Sequence, residues 1–149
     1  MNSYQRSISI RTSPERLFDF HLDTANLKRI SPPWFRTKLI LDEGSGPDRI
    51  LEYRVSVFYV PTLWHVEISE FNRPLVLSDL ATKGPFRHFH HRRTFIQDGD
   101  MTVMTDHVEY ELPLGLLGRL FDAAVVRQII SSMFRYRHRR TKELLEHAA

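Results

Sequence analysis

Three polar residues on two neighbouring predicted strands are the main candidates for chemistry in this sequence. His91 and Arg93 share one face of a strand over residues 86–96, because side chains alternate along a strand. Asp106 lies on the next strand, residues 101–112, on a face that is otherwise apolar. If both faces point inward, the carboxylate needs a charged or hydrogen-bonding partner. The cluster is then a structural ion pair, a ligand-orienting group or an acid–base pair.

Further histidines raise the question of a metal site. His88 and His90 share a strand face and are able to bind one ion, with His107 nearby. No acidic ligand at a reliable spacing completes the set, and an outward face leaves such a site in water. The chain has no cysteine, which excludes thiolate ligands, disulfides and cysteine nucleophiles. No phosphate-binding glycine loop and no G-x-S-x-G elbow occurs. We therefore expect no metal and no cofactor.

The run from Arg135 to Lys142, RYRHRRTK, is the strongest charge feature. Basic residues near a helix C-terminus are favoured by the helix dipole, by about 0.3–1 kcal/mol each. The alternatives are contact with nucleic acid, an anionic membrane surface or an acidic partner. Tyr136 alone offers little surface for base stacking. A nucleic-acid partner is therefore not expected.

Length and composition predict a single globular domain, residues 1–149. The chain is 42% hydrophobic and 26% charged, with a net charge of +3, which is ordinary for such a domain. The N-terminus lacks the apolar run of a signal peptide, and no apolar stretch reaches the roughly 18 residues of a membrane span. We expect a cytoplasmic protein without membrane insertion.

The elements that position the candidate residues follow from hydrophobic periodicity. A strand begins near Tyr4, and Ser13-Pro14-Glu15 starts a helix. A second short helix ends at Pro32-Pro33. Alternating apolar residues from 36 to 112 predict an antiparallel meander of short-linked strands. The last hairpin turns at Gly99, where glycine supplies the positive φ that such turns favour.

A long helix is predicted from Leu114 to Glu146, about 50 Å at about 1.5 Å per residue. Its apolar stripe contains Val126, Ile129, Ile130 and Met133. Its polar stripe contains Arg127, Ser131, Arg135, His138 and Lys142. Because the sheet cannot leave an apolar face in water, the helix must cover it. The predicted fold is α+β: a curved antiparallel sheet of six to seven strands around a long C-terminal helix, with two short helices after the first strand.

The order of these elements and several short stretches resemble the SRPBCC superfamily of START-like, birch-pollen-allergen-like helix-grip proteins. Within it, the chain is similar to a bacterial polyketide-cyclase-like branch. The matching stretches are His21, Asn26-Leu27, Ile30, Pro32-Pro33, Trp64, Asp79, Gly84-Pro85-Phe86, His91, Phe95, Thr105-Asp106, Tyr110 and Leu112-Pro113-Leu114-Gly115. The chain departs from the branch at Ala81, Phe89 and Arg93, where glutamine, tryptophan and histidine are expected.

The resemblance implies a START-like ligand-binding domain whose partner is a small hydrophobic molecule, aromatic or lipid-like, held between sheet and helix. The predicted ligand contacts are Tyr53, Val55, Trp64, Val66, Phe89, His91, Asp106, Val108, Tyr110, Leu117 and Phe121. The leading hypothesis is a non-enzymatic carrier. An alternative is a cyclase or aromatase in which His91 is acid or base, Asp106 orients it and Arg93 stabilises an enolate. A third is an interaction module that docks through its basic helix end.

Overall fold

The computed structural model describes residues 1–147 and contains a seven-stranded antiparallel sheet. The strands are β1 (Asn2–Ile10), β2 (Phe35–Glu43), β3 (Ile50–Val57), β4 (Val60–Asn72), β5 (Val76–Lys83), β6 (His88–Asp98) and β7 (Met101–Glu111). Their order is β1-β7-β6-β5-β4-β3-β2. The meander from β2 to β7 follows the chain, and β1 adds to its end against β7. The predicted fold class is confirmed.

The first two helices follow β1, as the sequence predicts. Helix α1 spans Pro14–Leu22 and α2 spans Asn26–Arg29. Ser13 caps α1, since its hydroxyl accepts a hydrogen bond from the Arg16 backbone N–H. A 3-10 turn, Gly46–Asp48, connects β2 to β3.

The C-terminal helix is long but is not a continuous α-helix. Helix α3 spans Gly115–Phe121, a π-helical turn covers Asp122–Val126, and α4 spans Arg127–His147. Gly118 is required at the start, because a Cβ there would clash with the Pro113 carbonyl oxygen. The π turn changes the helical register, so that α3 and α4 do not share one straight stripe.

Two clusters of buried apolar side chains hold the helices on the sheet. One packs α1 and the end of α4 against the sheet: Ile10, Leu17, Phe18, Ile68, Leu77, Phe95, Met104 and Leu145. The other lies under the first half of α4: Val108, Tyr110, Val126, Ile130, Met133 and Phe134. Between them α4 carries polar residues toward the interior, and this is where the candidate site lies.

The two edge strands of the sheet, β1 and β2, differ in what interrupts their free edge. At β1, the carbonyls of Ser3 and Ser9 accept hydrogen bonds from Arg127 and Lys142 of the C-terminal helix. At β2, the pairing with β3 shifts register between Leu39 and Leu41, so that Ile40 is an extra, exposed residue in a β-bulge.

The predicted polar stripe of the helix is wrong at His138, which is 1% exposed and faces the sheet. The apolar stripe continues into this position, since Ile130, Phe134, His138 and Leu145 are all buried on one side of α4. Within residues 1–147, no helix is both long and apolar enough to cross a membrane. The cytoplasmic location stays a prediction.

Candidate functional site

A cavity of about 710 Å³ lies among strands β2 to β7 and the helices that cover them. Its wall is largely apolar, and it includes both predicted and unpredicted residues. The predicted contacts that line it are Tyr53, Val55, Trp64, Val66, Phe89, His91, Asp106, Leu117 and Phe121. Leu117 and Phe121 are 68% and 55% exposed, so they stand at the rim of the cavity rather than deep inside it.

Val108 and Tyr110 do not line the cavity, although both were predicted as ligand contacts. Both are completely buried in the core beneath the first half of α4, together with Val126 and Ile130. The Tyr110 hydroxyl donates a hydrogen bond of 2.6 Å to Oδ1 of Asp122, in the π turn. The two residues share the inward face of β7 with Asp106, but the helix already covers their part of that face.

Asp106 binds two imidazoles in the interior. Its Oδ1 lies 2.5 Å from Nε2 of His91, and its Oδ2 lies 2.5 Å from Nε2 of His138. Burial alone would raise the pKa of Asp106, but the hydrogen bonds from His138 and His91 outweigh it and hold the pKa well below its usual range. The carboxylate is therefore ionised, and both rings donate to it from Nε2.

His91 is neutral at physiological pH in this arrangement. Burial lowers its pKa, the nearby Arg93 acts in the same direction, and the hydrogen bond to Asp106 opposes both. Because Nε2 donates to Asp106, Nδ1 is left outside this hydrogen bond. His91 lines the cavity, so Asp106 holds in a fixed orientation an imidazole that borders the space where a ligand would bind.

Arg93 lines the same cavity but does not pair with Asp106, its cross-strand neighbour. Its Nη2 lies 2.5 Å from Oδ2 of Asp79 on β5. The three predicted catalytic candidates are thus in one place, yet they belong to two separate ion pairs. Asp79 was absent from the predicted site, although it is among the residues that carry the family resemblance, and its position opposite His91 across β5 and β6 brings it into the cluster.

Sequence reasoning also missed His21, Arg137 and His138, all of which line the cavity. Burial lowers the pKa of His21 to about 3, with Arg93 as the next cause, so this ring is neutral. The sequence assigned the last two residues to a basic surface run. The available signal was the spacing of the apolar stripe, which continues past Phe134 into Arg137 and His138.

Several buried polar atoms of this cluster have no hydrogen-bond partner within the described protein. They are His21 Nε2, Arg93 Nε, Arg137 Nε, His138 Nδ1 and Thr141 Oγ1, all on residues that line the cavity. Buried polar groups are normally hydrogen-bonded, so each exception calls for an explanation, such as a functional role or a bound ion or water. The polar part of the wall therefore offers donors and acceptors to whatever occupies the cavity.

The wall contains a polar cluster and an aromatic cluster, although the Phe35 and Phe134 rings also lie beside Arg137. The polar groups come from α1, from the second half of α4 and from facing positions of β5, β6 and β7. An aromatic group forms the other part: Trp64 lies 5.0 Å from Phe89 between ring centroids, and Phe86 lies 5.2 Å from Phe89. The exposed residues Leu117 and Phe121 of α3 also line the cavity. The cavity wall therefore offers both polar and aromatic contacts.

The remaining histidines lie outside this cluster. His90 Nε2 is 3.2 Å from the Ser69 hydroxyl, and His107 is 4.0 Å from Glu109. Neither His88 nor His90 lines the cavity. Across residues 1–147, no group of three or more His, Cys, Asp and Glu side chains has an arrangement that would hold a metal ion.

The family model described as polyketide cyclase / dehydrase and lipid transport matches residues 1–146 of the chain. A START superfamily protein from Mycobacterium smegmatis is 12% identical, with a TM-score of 0.77 over 99% of both chains. TTHA0849 from Thermus thermophilus is 17% identical, with a TM-score of 0.74 over 94% of this chain and 97% of the other. Ara h 8.0201 is 11% identical, with a TM-score of 0.69 over 94% and 97%.

These solved structures share the fold of this chain, and at such low identity they show the fold alone. Together with the family match they confirm the resemblance to helix-grip proteins. No functionally curated protein matches the chain.

Proposed function

We propose that this chain, which belongs to the polyketide cyclase / dehydrase and lipid transport family, binds a small, mainly apolar molecule in the cavity between its sheet and its C-terminal helix. The observation that carries the proposal is the cavity itself. Its volume of about 710 Å³ falls within the roughly 300–1,000 Å³ of small-molecule sites. Its wall combines apolar side chains with a few converging polar groups, which is the usual composition of such sites.

The aromatic part of the wall favours a ligand with a flat or extended apolar body. The Trp64, Phe86 and Phe89 rings meet edge-on or tilted rather than in parallel stacks. Such rings offer large apolar surface with few rotatable bonds. Ala81 lines the same cavity with a small side chain, where the resembling branch is expected to carry glutamine. We attribute part of the room in the cavity to this residue.

The first test is to identify what the protein carries. Gentle purification, native mass spectrometry and extraction should reveal an apolar compound in stoichiometric amount. In parallel, the neutral dye N-phenyl-1-naphthylamine should fluoresce when it enters the cavity. Absence of both a co-purifying compound and dye binding would refute the proposal.

A matched pair of variants locates the dye. Ala81→Phe places a large ring in the cavity and should abolish dye binding. Thr82→Phe adds the same ring at an exposed neighbour that does not line the cavity, and binding should persist. Equal effects of the two substitutions would place the dye elsewhere on the protein.

An enzymatic role is the second candidate, and the Asp106–His91 hydrogen bond is the observation that favours it. A carboxylate that fixes the tautomer of a neutral imidazole beside a substrate prepares it to accept a proton. The cyclase or aromatase chemistry predicted from the sequence belongs here. If the extracted compound is converted on incubation with the protein, His91→Gln should remove conversion while leaving binding. Loss of binding alone would favour the carrier.

A further inference from the structure

Arg137 is a charged side chain inside an apolar cavity. It projects from α4 toward the sheet, and its Nε is inaccessible to solvent. The guanidinium carbon lies 5.1 Å from the centroid of the Phe35 ring and 5.6 Å from that of Phe134. Burial lowers the pKa of Arg137 to about 10, and Asp106 acts in the opposite direction, so the group is still cationic at neutral pH.

The carboxylates in this part of the cavity are already engaged by other groups. Asp79 binds Arg93, and Asp106 accepts hydrogen bonds from two histidines. Asp23 also lines the cavity, but it is exposed and accepts a hydrogen bond from the Ala25 backbone. The Arg137 Nε has no hydrogen-bond partner within the described protein.

The aromatic contacts supply no hydrogen-bond acceptor to Arg137, which is half-buried and whose Nε is shut off from solvent. Cation–π contacts stabilise a guanidinium modestly, whereas shielding part of it from water has a cost that an anion or several acceptors offset. Arginine at such a position is suited to bind carboxylates through two parallel hydrogen bonds. Arg93 also lines this part of the wall, but its charge is balanced by Asp79, so Arg137 is the group we assign to a ligand anion.

We propose that the ligand is an apolar acid whose anionic head group binds Arg137, while its apolar body extends toward Trp64 and Phe89. This inference rests on the proposed function and specifies its ligand class. The polar cluster around Arg137 and the aromatic cluster of Trp64 and Phe89 determine this orientation of the ligand. The unpartnered His21 Nε2 and Thr141 Oγ1 lie among the residues available to the head group.

Two dyes that differ by one anionic group provide the test. The probes are 1-anilinonaphthalene-8-sulfonate and N-phenyl-1-naphthylamine, which lacks the sulfonate. Arg137→Gln removes the charge but keeps a polar side chain. It should weaken binding of the sulfonate dye at least about tenfold and binding of the neutral dye less than about threefold. Arg137→Lys should restore most of the affinity for the sulfonate dye.

The neighbouring residue Arg139 provides the control, since its side chain is 64% exposed. Arg139→Gln removes one charge from the same helix without touching the cavity and should leave both affinities unchanged. Ala81→Phe should abolish both signals, which shows that both dyes occupy the cavity. Circular dichroism checks that each variant is folded.

Decanoate and decanol extend the test to a carboxylate. In the wild-type protein, decanoate should displace the neutral dye at a lower concentration than decanol, and this difference should vanish in Arg137→Gln. If Arg137→Gln weakens both dyes equally, or neither, the head-group assignment is wrong while binding in the cavity stands. If neither dye binds the wild-type protein, the proposed function fails and this inference fails with it.

Discussion

His138 on the C-terminal helix and Asp106 on β7 meet in the interior, with Nε2 and Oδ2 2.5 Å apart. His91 on β6 occupies the other oxygen of the same carboxylate. One side chain thus joins the helix to two adjacent strands. Because both rings donate to a buried anion, this contact fixes the rotation of α4 about its axis and, with it, the direction in which Arg137 points.

Asp106→Asn should destabilise the protein by about 1.5–3 kcal/mol, the range for a lost hydrogen bond to a charged group. The amide oxygen can still accept from one imidazole, but the amide nitrogen cannot accept from the other. Urea denaturation at pH 7 measures the free energy of unfolding. Asp100→Asn is the control, since Asp100 pairs with Arg11 at the surface and is 69% exposed. A change of similar size in both variants would show that the carboxylate does not hold the helix.

The stability of the protein should fall as the pH is lowered from 7 toward 4. The pKa of His21 in the folded protein is about 3, below the usual value of about 6.5. Between these values the unfolded chain binds a proton that the folded protein does not, so lowering the pH favours unfolding. Each such group contributes a slope of up to about 1.4 kcal/mol per pH unit. His91, whose pKa is also lowered, acts in the same direction.

His21→Phe isolates the first of these groups. It keeps an aromatic ring beside Phe95, whose centroid lies 6.0 Å from that of His21. The variant should gain stability relative to the wild type as the pH falls below 6, as measured by urea denaturation at several pH values. Identical slopes for the two proteins, or an NMR titration that shows His21 protonated near pH 6, would contradict the prediction.

Tyr110→Phe should cost about 1–3 kcal/mol of unfolding free energy, because it leaves the buried Asp122 carboxyl without its hydrogen-bond donor. The hydrogen bond anchors the π turn to β7. Thermal denaturation followed by circular dichroism measures the effect. Tyr59→Phe removes the same hydroxyl from a residue that is 85% exposed and should change little. Equal losses would argue against an anchoring role for Tyr110.

The outer face of α4 should tolerate charge reversal. Arg135 and Arg139 are exposed, and Arg139 lies over the Tyr136 ring at 5.2 Å. Arg135→Glu combined with Arg139→Glu should change stability by about 0.5 kcal/mol or less, as is usual for surface substitutions. Affinity for the neutral dye should be unaffected. A loss of dye affinity would instead connect this face to the cavity.

The sequence predicted best those strands and helices that bury only one face. In them the apolar residues repeat every two positions along a strand, or about every 3.6 along a helix. Alternation along β6 and β7 groups His91 with Arg93 on one face and places Asp106 on an apolar face, and all three line the cavity. The same alternation predicted Val108 and Tyr110 as ligand contacts. Alternation predicts which face of a strand a side chain is on, but not which part of that face is covered by a helix. Val108 and Tyr110 lie in the part that α4 covers.

The partners within the polar cluster depended on tertiary geometry. Arg93 is directly opposite Asp106 across β6 and β7, yet it pairs with Asp79 on the other side. His138 lies in the basic run from Arg135 to Lys142, which is typical of a solvent-exposed surface. Its burial is indicated only by the apolar spacing through Ile130 and Phe134, which continues to position 138. The single-domain organisation, the ligand contacts and the carrier function stay predictions from sequence and family.

The bulge at Ile40 and the helix contacts at β1 have a consequence for self-association. An open sheet presents unpaired backbone groups at both edges, which are able to template pairing with another chain. Here Arg127 and Lys142 occupy carbonyls of β1, and the extra residue Ile40 interrupts the regular spacing of β2. Both edges thus carry interruptions of the kind that disfavour pairing with a second copy.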